Sequence, residues 1–298
     1  MSQIFDALHR SETDRQGMDT RRFAAATDLL EAAERNLALG SPKSEPTTTV
    51  EKLGLFSLLS SVRVVTPTGS KIVFGQVGES LAAEKFRYLS VRLRHVQQKR
   101  TLRRLLITSS MPEEGKSTVA ANLACTLATK QKQNVLLLEG DIRRPTLAQQ
   151  FGLQAGAGLR ELLEGDPCPD MNICRLDGLG LYFLRAGKPP SDPLVLLQSE
   201  NLPVLMDQLS SWFDWIVIDS PPVLPLADTS VWMRLTDAIL LVTRPGKTAK
   251  KQLQRSLEVL EQSKLLGALV NGSQESLSSA YYYYGGRQAK LVTAGEPS

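Results

Sequence analysis

The sequence predicts an α/β domain, a mostly parallel sheet flanked by helices, with a helical N-terminal extension and a flexible C-terminal tail. Three observations carry that prediction. Short apolar runs bounded by turn residues (RLLITSS, NVLLLEGD, LYFLRAG, WIVIDSPP, AILLVTRP and ALVN) recur between residues 104 and 271. Helical stretches separate several of them, and that alternation implies a mostly parallel sheet covered on both faces. The chain has 298 residues, 42% apolar and 22% charged, which suits one domain of about 200 residues plus extensions, or two small ones.

Taken in order, residues 1–45 read as a helical extension. Ile4, Phe5 and Leu8 recur at helical spacing, and RFAAATDLLEAAERNLALG ends at Gly40, a suitable C-cap. Residues 46–78 read as linker or stay open, since SPKSEPTTTVEK is rich in Ser, Thr and Pro. The segment ESLAAEKFRYLSVRLRHVQQK sets Leu81, Phe86, Leu89, Leu93 and Val96 close to one helical face, with cations on the other. This helix opens a domain expected over residues 79–275. Residues 276–298 lose the apolar pattern and read as a tyrosine-rich flexible tail.

Composition excludes several functions. A net charge of +4 is too modest to argue for nucleic acid, and the cations among residues 85–104 suit an interface or a solvated helix face better. Cys125, Cys168 and Cys174 form no CxxC pair, and the two histidines, His9 and His95, are not at metal spacing, so free thiols in a reducing cytosol are expected. No apolar run approaches the roughly 20 residues that span a bilayer. The start, MSQIFDALHRSETDRQG, has no long apolar core and so is not expected to be a secretory signal. A cytoplasmic protein is expected, with any membrane connection made through a partner.

The strongest local signal is the loop Ser109 to Thr118, SSMPEEGKST, between the apolar strand LLIT and the helix TVAANLACTLATK. Strand, Gly-Lys-Ser-Thr and helix together form the context of a Walker A phosphate loop. Ser110, Pro112, Glu113, Glu114, Gly115 and Thr118 would shape the loop, whose N–H groups can cradle a phosphate. Lys116 can bridge the β- and γ-phosphates of ATP, and the Ser117 hydroxyl can help hold Mg²⁺. The usual first glycine is Ser110 here, and the competing reading is an ordinary strand-loop-helix corner with a solvated lysine. Asp219 closes the strand WIVID where a Walker B aspartate belongs, and Glu139 and Asp141 end another strand. Strand ends along one edge of a parallel sheet converge on the ligand crevice.

These segments resemble the bacterial tyrosine kinases of polysaccharide-export systems, a family within the MinD/ParA-like P-loop ATPases, over roughly residues 79–285. Pro112 matches the proline before the Gly-Lys, and Glu139-Gly140-Asp141-Ile142-Arg143-Arg144-Pro145 matches a Walker A′ segment of the form Asp-x-Asp-x-Arg-Arg-Pro. Asp219-Ser220-Pro221-Pro222 matches the Walker B segment, and AGKPPSDPLVLL the stretch before it. The run Tyr281, Tyr282, Tyr283 and Tyr284 matches the family's autophosphorylation tail, and exposed aromatic clusters are unfavourable without a purpose. The resemblance implies transfer of phosphate from ATP to those tyrosines, with Mg²⁺ held by Ser117, Asp141 and Asp219 and catalysis by Lys116, Glu139, Asp141 and Asp219. It implies Arg244 and Asn271 beside the base, and Glu84 and Arg87 in a ring-forming homo-oligomer interface. It also implies a membrane-embedded activator of the chain-length-regulator type, a tyrosine phosphatase, recruitment to the inner face of the membrane, and regulation of exopolysaccharide polymerisation.

Two departures are visible. Glu139 replaces the first Walker A′ aspartate, the family's candidate for accepting the tyrosine proton, and the added methylene moves the carboxylate. Ser90 stands where the interface pattern Glu-x-x-Arg-x-x-Arg has its second arginine. Asp228 matches a recurring acid to which the sequence gives no role. A MinD/ParA-like switch ATPase and a non-catalytic ATP-binding regulator remain the competing functions; the first usually carries an additional lysine early in the loop, absent from Ser-Met-Pro-Glu-Glu.

Overall fold

The computed structural model of the chain describes residues 56, 59–73, 80–129, 133–165 and 172–272. Eight strands form one sheet: β1 (Ser60–Arg63), β2 (Arg104–Ser109), β3 (Val135–Glu139), β4 (Ile173–Asp177), β5 (Leu181–Leu184), β6 (Trp215–Asp219), β7 (Ala238–Thr243) and β8 (Leu265–Val270). Their order is β1-β4-β5-β3-β6-β2-β7-β8. The pairings from β5 to β8 are all parallel, while β4 runs antiparallel to β5 and carries β1 parallel to itself at the edge.

The central strands read as unbroken apolar runs because helices cover both faces. Along β2, Leu105 and Ile107 point into one core and Leu106 into the other, the two-residue alternation of a strand. The first core is closed by α1 (Leu81–Lys99), α2 (Lys116–Thr129) and α3 (Leu147–Gln150). The second is closed by α4 (Leu159–Leu163), α5 (Pro193–Leu197), α6 (Asn201–Trp212) and α7 (Asp228–Arg234), with α8 (Lys250–Val259) resting Leu253 and Leu257 against it. Ser80 caps α1 by accepting the Ala83 N–H at 3.1 Å, and Asp192 caps α5 ahead of Pro193, a favoured first helical residue.

All six strands expected from the sequence form, and so does the helix over 81–99. The two strands that the sequence did not announce, β1 and β4, lie together toward one edge of the sheet. β1 precedes the expected start of the domain at residue 79, and the segment after it packs on α2: Ile72 is buried, and the Asn122 amide accepts the Val73 N–H at 2.8 Å and donates to Lys71 O at 3.0 Å. The N-terminal helices and the tyrosine tail expected from the sequence lie outside the described residues. Among the described residues, no helix is long and apolar enough to cross a membrane, and no three or more His, Cys, Asp and Glu side chains gather into a metal site of their own.

Candidate functional site

The order β3-β6-β2 decides the site, because it sets the C-terminal ends of three neighbouring strands side by side. Glu139 pairs with Asp219 across β3 and β6, and Ile107 pairs with Asp219 across β2 and β6. The loop after β2 therefore opens beside both acidic strand ends. α2 begins at Lys116, so the N–H groups of its first turn face the loop, a ready anion site. Val119 N–H returns to Gly115 O at 3.0 Å, which starts the helix at the loop glycine.

The loop needs left-handed backbone at Glu113 (φ 64°) and Gly115 (φ 94°), but not at Ser110. That explains why the first glycine of the general pattern is dispensable here. Gly115 is constrained twice, since a Cβ there would stand 2.1 Å from Asn271 Nδ2. Glu114 is fully buried and braces the turn: it accepts the Met111 N–H at 3.1 Å and the Thr248 hydroxyl. Asn271 Nδ2 donates to Glu114 O at 3.0 Å, Arg244 Nη1 to Glu113 O at 3.4 Å, and Lys247 pairs with the Glu113 carboxylate. The expected base contacts, Arg244 and Asn271, thus lie on the β7–β8 flank of the loop and hold its backbone.

On the other flank stands the charge centre. Lys116 Nζ is 2.8 Å from Asp141 Oδ2, 3.9 Å from Asp219 Oδ1 and 3.4 Å from Ser117 Oγ. Burial alone would push the Lys116 ammonium down, but Asp219 and Asp141 carry it above its ordinary value. Burial pushes the Asp219 carboxyl up to about 6, against the opposing pull of Lys116 and the Ser117 hydroxyl. Asp219 Oδ1 is buried with no hydrogen-bond donor. A lone buried carboxylate oxygen beside a phosphate loop is an acceptor that a divalent cation would satisfy, so Ser117, Asp141 and Asp219 fit Mg²⁺. In front of them is a cavity of about 510 Å³, lined by Pro112, Glu113 and Gly115 to Thr118, by Asp141, Arg143, Arg144 and Thr146 of the β3–α3 connection with Gln150 of α3, and by Pro222, Pro225 and Leu226.

Glu139 is not part of that cavity. Its Oε1 accepts the N–H groups of Leu147 at 2.6 Å and Ala148 at 3.4 Å, and its Oε2 accepts that of Ala186 at 3.1 Å. In this structure the side chain, expected to serve the acceptor's hydroxyl, ties the start of α3 to the end of β5 instead. Burial raises its pKa and the backbone donors oppose the rise. Asp141 is the Walker A′ carboxylate at the cavity, held by Lys116 and by the Arg144 N–H at 3.1 Å. Gly140 between them is dictated by packing, since a Cβ would meet Trp232 Cζ2 at 2.9 Å.

The residues expected at a ring interface lie on α1. Glu84 and Arg87 pair with each other on α1. Ser90 is turned inward and buried, donating to Arg87 O at 2.8 Å, while Arg94 reaches back to Ser90 O at 3.1 Å and Ser90 Oγ at 3.2 Å. Sequence reasoning assigned no work to Arg143, Thr146, Gln150, Pro225 or Leu226, which line the cavity. Their proximity to the two acidic motifs was the available signal.

Comparison with known proteins agrees with this geometry. A family model described as "ParA: NUBPL iron-transfer P-loop NTPase" matches residues 102–279. The chain is 35% identical over 209 residues to tyrosine-protein kinase YwqD of Bacillus subtilis (strain 168), covering 70% of this chain and 88% of that protein. It is 31% identical over 210 residues to putative tyrosine-protein kinase CapB of Staphylococcus aureus, covering 70% and 92%. The match to tyrosine-protein kinase etk of Escherichia coli (strain K12), 30% identical, covers 68% of this chain but 28% of that longer protein. Among solved structures, the chimerical protein CapA2B2 superposes with a TM-score of 0.63 at 26% identity, covering 75% of this chain and 98% of that one. The kinase domain of Escherichia coli tyrosine kinase ETK gives a TM-score of 0.63 at 25% identity, covering 77% and 97%.

Proposed function

The chain belongs to the bacterial tyrosine-protein kinases, within the ParA-type P-loop NTPases, and from that premise we propose that it transfers the γ-phosphoryl group of ATP to tyrosines of its own C-terminal tail. One observation carries this reading. A largely buried lysine at the end of the phosphate loop is shared between Asp141 and the partly unsatisfied Asp219, and it lines the cavity.

Phosphoryl transfer asks the protein for alignment and charge neutralisation more than for covalent help. Lys116 and the N–H groups starting α2 would take the β- and γ-phosphates. Ser117, Asp219 and the adjacent Asp141 would hold Mg²⁺, whose charge offsets that of the phosphates. The tyrosine oxygen forms the new bond to phosphorus as the bond to the β–γ bridging oxygen breaks, and ADP departs. The phenolic proton leaves toward Asp141, the carboxylate that reaches the cavity.

The tail has the reach for the role. The described chain leaves β8 at Asn271 and Gly272, next to the phosphate loop, and eight residues, 273 to 280, precede Tyr281. Eight residues span at most about 26–29 Å, which supports presentation of Tyr281 to Tyr284 to a cavity beside that same loop. On the family resemblance, the protein would act in the cytoplasm with a membrane-embedded activator, assemble with copies of itself through α1, be reversed by a tyrosine phosphatase, and govern exopolysaccharide polymerisation.

The test is incubation with ATP and Mg²⁺, with and without a candidate activator segment, followed by phosphopeptide mass spectrometry. Phosphate on Tyr281 to Tyr284 that disappears in Lys116→Met is the expected result. ATP hydrolysis without phosphotyrosine would instead favour a switch ATPase, and ATP binding without turnover a silent regulator.

A further inference from the structure

Asp228 is left unused by the reaction as described. It begins α7 and is 0% exposed, where an ionised carboxylate is costly unless paired. Its partner is Arg143 of the β3–α3 loop. Arg143 Nε donates to Oδ2 at 2.6 Å and Nη2 donates to Oδ1 at 3.0 Å. A two-point contact of this kind fixes the plane of the guanidinium as well as its position. It uses two of the five guanidinium N–H groups, so three remain. Arg143 lines the same cavity as Lys116 and Asp141, and its side chain is one-third exposed.

The cavity is lopsided. Arg244 and Asn271 on the β7–β8 flank do not line it, and its walls beyond the phosphate loop come from the ends of β3 and β6. An acceptor that enters this cavity would meet the terminal phosphate from the side of those two strand ends. Lys116 is anchored in the phosphate loop and addresses the phosphates from there. The charge on a transferring phosphoryl group is spread over three equatorial oxygens, and a rigid cation on the far side would complete their neutralisation. Holding that cation ready in the resting protein removes the reorganisation that a mobile side chain would require.

We propose that Arg143, locked by Asp228, is the second cationic side chain on the transferring phosphoryl group, contacting its oxygens from the acceptor's side, with Asp228 as the positioning residue. The inference rests on the phosphoryl-transfer reading above and extends it to two residues. The competing explanation is a tie between two loops with no contact to phosphate.

The two separate in a binding measurement on the full chain. Affinity for a fluorescent ADP is read with Mg²⁺, in the absence and presence of aluminium fluoride, which mimics the phosphoryl group in flight. The native chain should bind ADP more tightly with aluminium fluoride. Arg143→Ala should keep ADP affinity within about twofold, lose the tightening, and lower the rate of ATP turnover by about 100-fold or more. Arg143→Lys should restore only part of this, because an ammonium lacks the fork. Asp228→Asn, which keeps the Arg143 charge but loses one of its two acceptors, should lose about tenfold in turnover with ADP affinity held. Intact tightening in Arg143→Ala would overturn the inference. So would equal losses of ADP affinity and thermal stability in both variants, the signature of a loop tie. A native chain that tightens on ADP and aluminium fluoride through Arg143 but makes no phosphotyrosine would sink the kinase reading alone.

Discussion

Replacing Glu139 with Gln separates a tether from a base. In the folded protein both carboxylate oxygens accept backbone N–H groups, two from the start of α3 and one from Ala186. Glutamine can keep its carbonyl on Leu147, but its NH₂ group then faces the Ala186 N–H, donor against donor. Losing a hydrogen bond to a charged acceptor costs about 1.5–3 kcal/mol, and leaving a buried donor unmade costs about 1–3 kcal/mol. Burial opposes ionisation of Glu139, so the neutral amide recovers part of this. A net loss of about 2 kcal/mol is expected, which lowers Tm by roughly 4–8 °C in a domain of this size. Turnover per folded molecule should fall no more than about tenfold, through loosening of the loop that carries Asp141. Differential scanning fluorimetry and phosphotyrosine formation, each with Asp141→Asn in parallel, make the measurement. If Glu139→Gln leaves stability and ADP affinity untouched but removes 1,000-fold or more of the rate, Glu139 is the proton acceptor after all and the tether argument fails.

Two further substitutions and modifications test the frame around the site. Gly115→Ala should abolish detectable ATP binding, because its Cβ would stand 2.1 Å from Asn271 Nδ2 on a backbone with φ of 94°; adding Asn271→Ala should restore binding only in part, since the left-handed strain of about 1–2 kcal/mol remains. Isothermal titration with ATP and Mg²⁺ reads both variants. Cys125 and Cys174 are buried, and burial pushes the Cys125 thiol up to about 12 and raises that of Cys174. At pH 8 neither should react with a thiol-specific disulfide reagent until urea unfolds the domain, and rapid modification of Cys125 in the native protein would contradict the packing of α2.

What the sequence revealed and what it hid follow one physical division. Five of the six strands it announced are buried almost throughout, so their residues had to be apolar in continuous runs; the sixth, β8, is the opposite edge of the sheet and is exposed toward its C-terminal end. The two it hid, SSVR and ICRLD, sit toward an edge where Arg175 and Asp177 face solvent, and their pattern is too short and polar to stand out. Lys116, Ser117, Asp141 and Asp219 were legible because their position depends on where a strand ends and a helix begins, which local sequence controls. The Arg143–Asp228 pair joins residues 85 apart in the chain, and only the order of β3 and β6 in the sheet brings the two loops together. Ser90 was legible as a departure but not as an inward-facing residue that Arg94 covers.

The Walker A′ segment shows how one added methylene can be accommodated without loss of the site. An acid at position 139 has two directions available at the end of β3: toward the phosphates or back between α3 and β5. The glutamate takes the second, where three backbone donors receive it. Gly140 N–H stays on Asp219 O at 2.8 Å, and the Trp232 indole N–H donates to Gly140 O at 3.2 Å. Both peptide groups between the two acids are therefore held by β6 and α7, not by the Glu139 side chain. That independence is what lets Asp141 keep its 2.8 Å contact with Lys116 whatever carboxylate occupies position 139. A shortened Glu139→Asp side chain should thus disturb the start of α3 before it disturbs Asp141, and hydrogen exchange at Leu147 and Ala148 should rise while that at Gly140 does not. Equal deprotection at all three would show that the acid at 139 holds the catalytic loop as a whole.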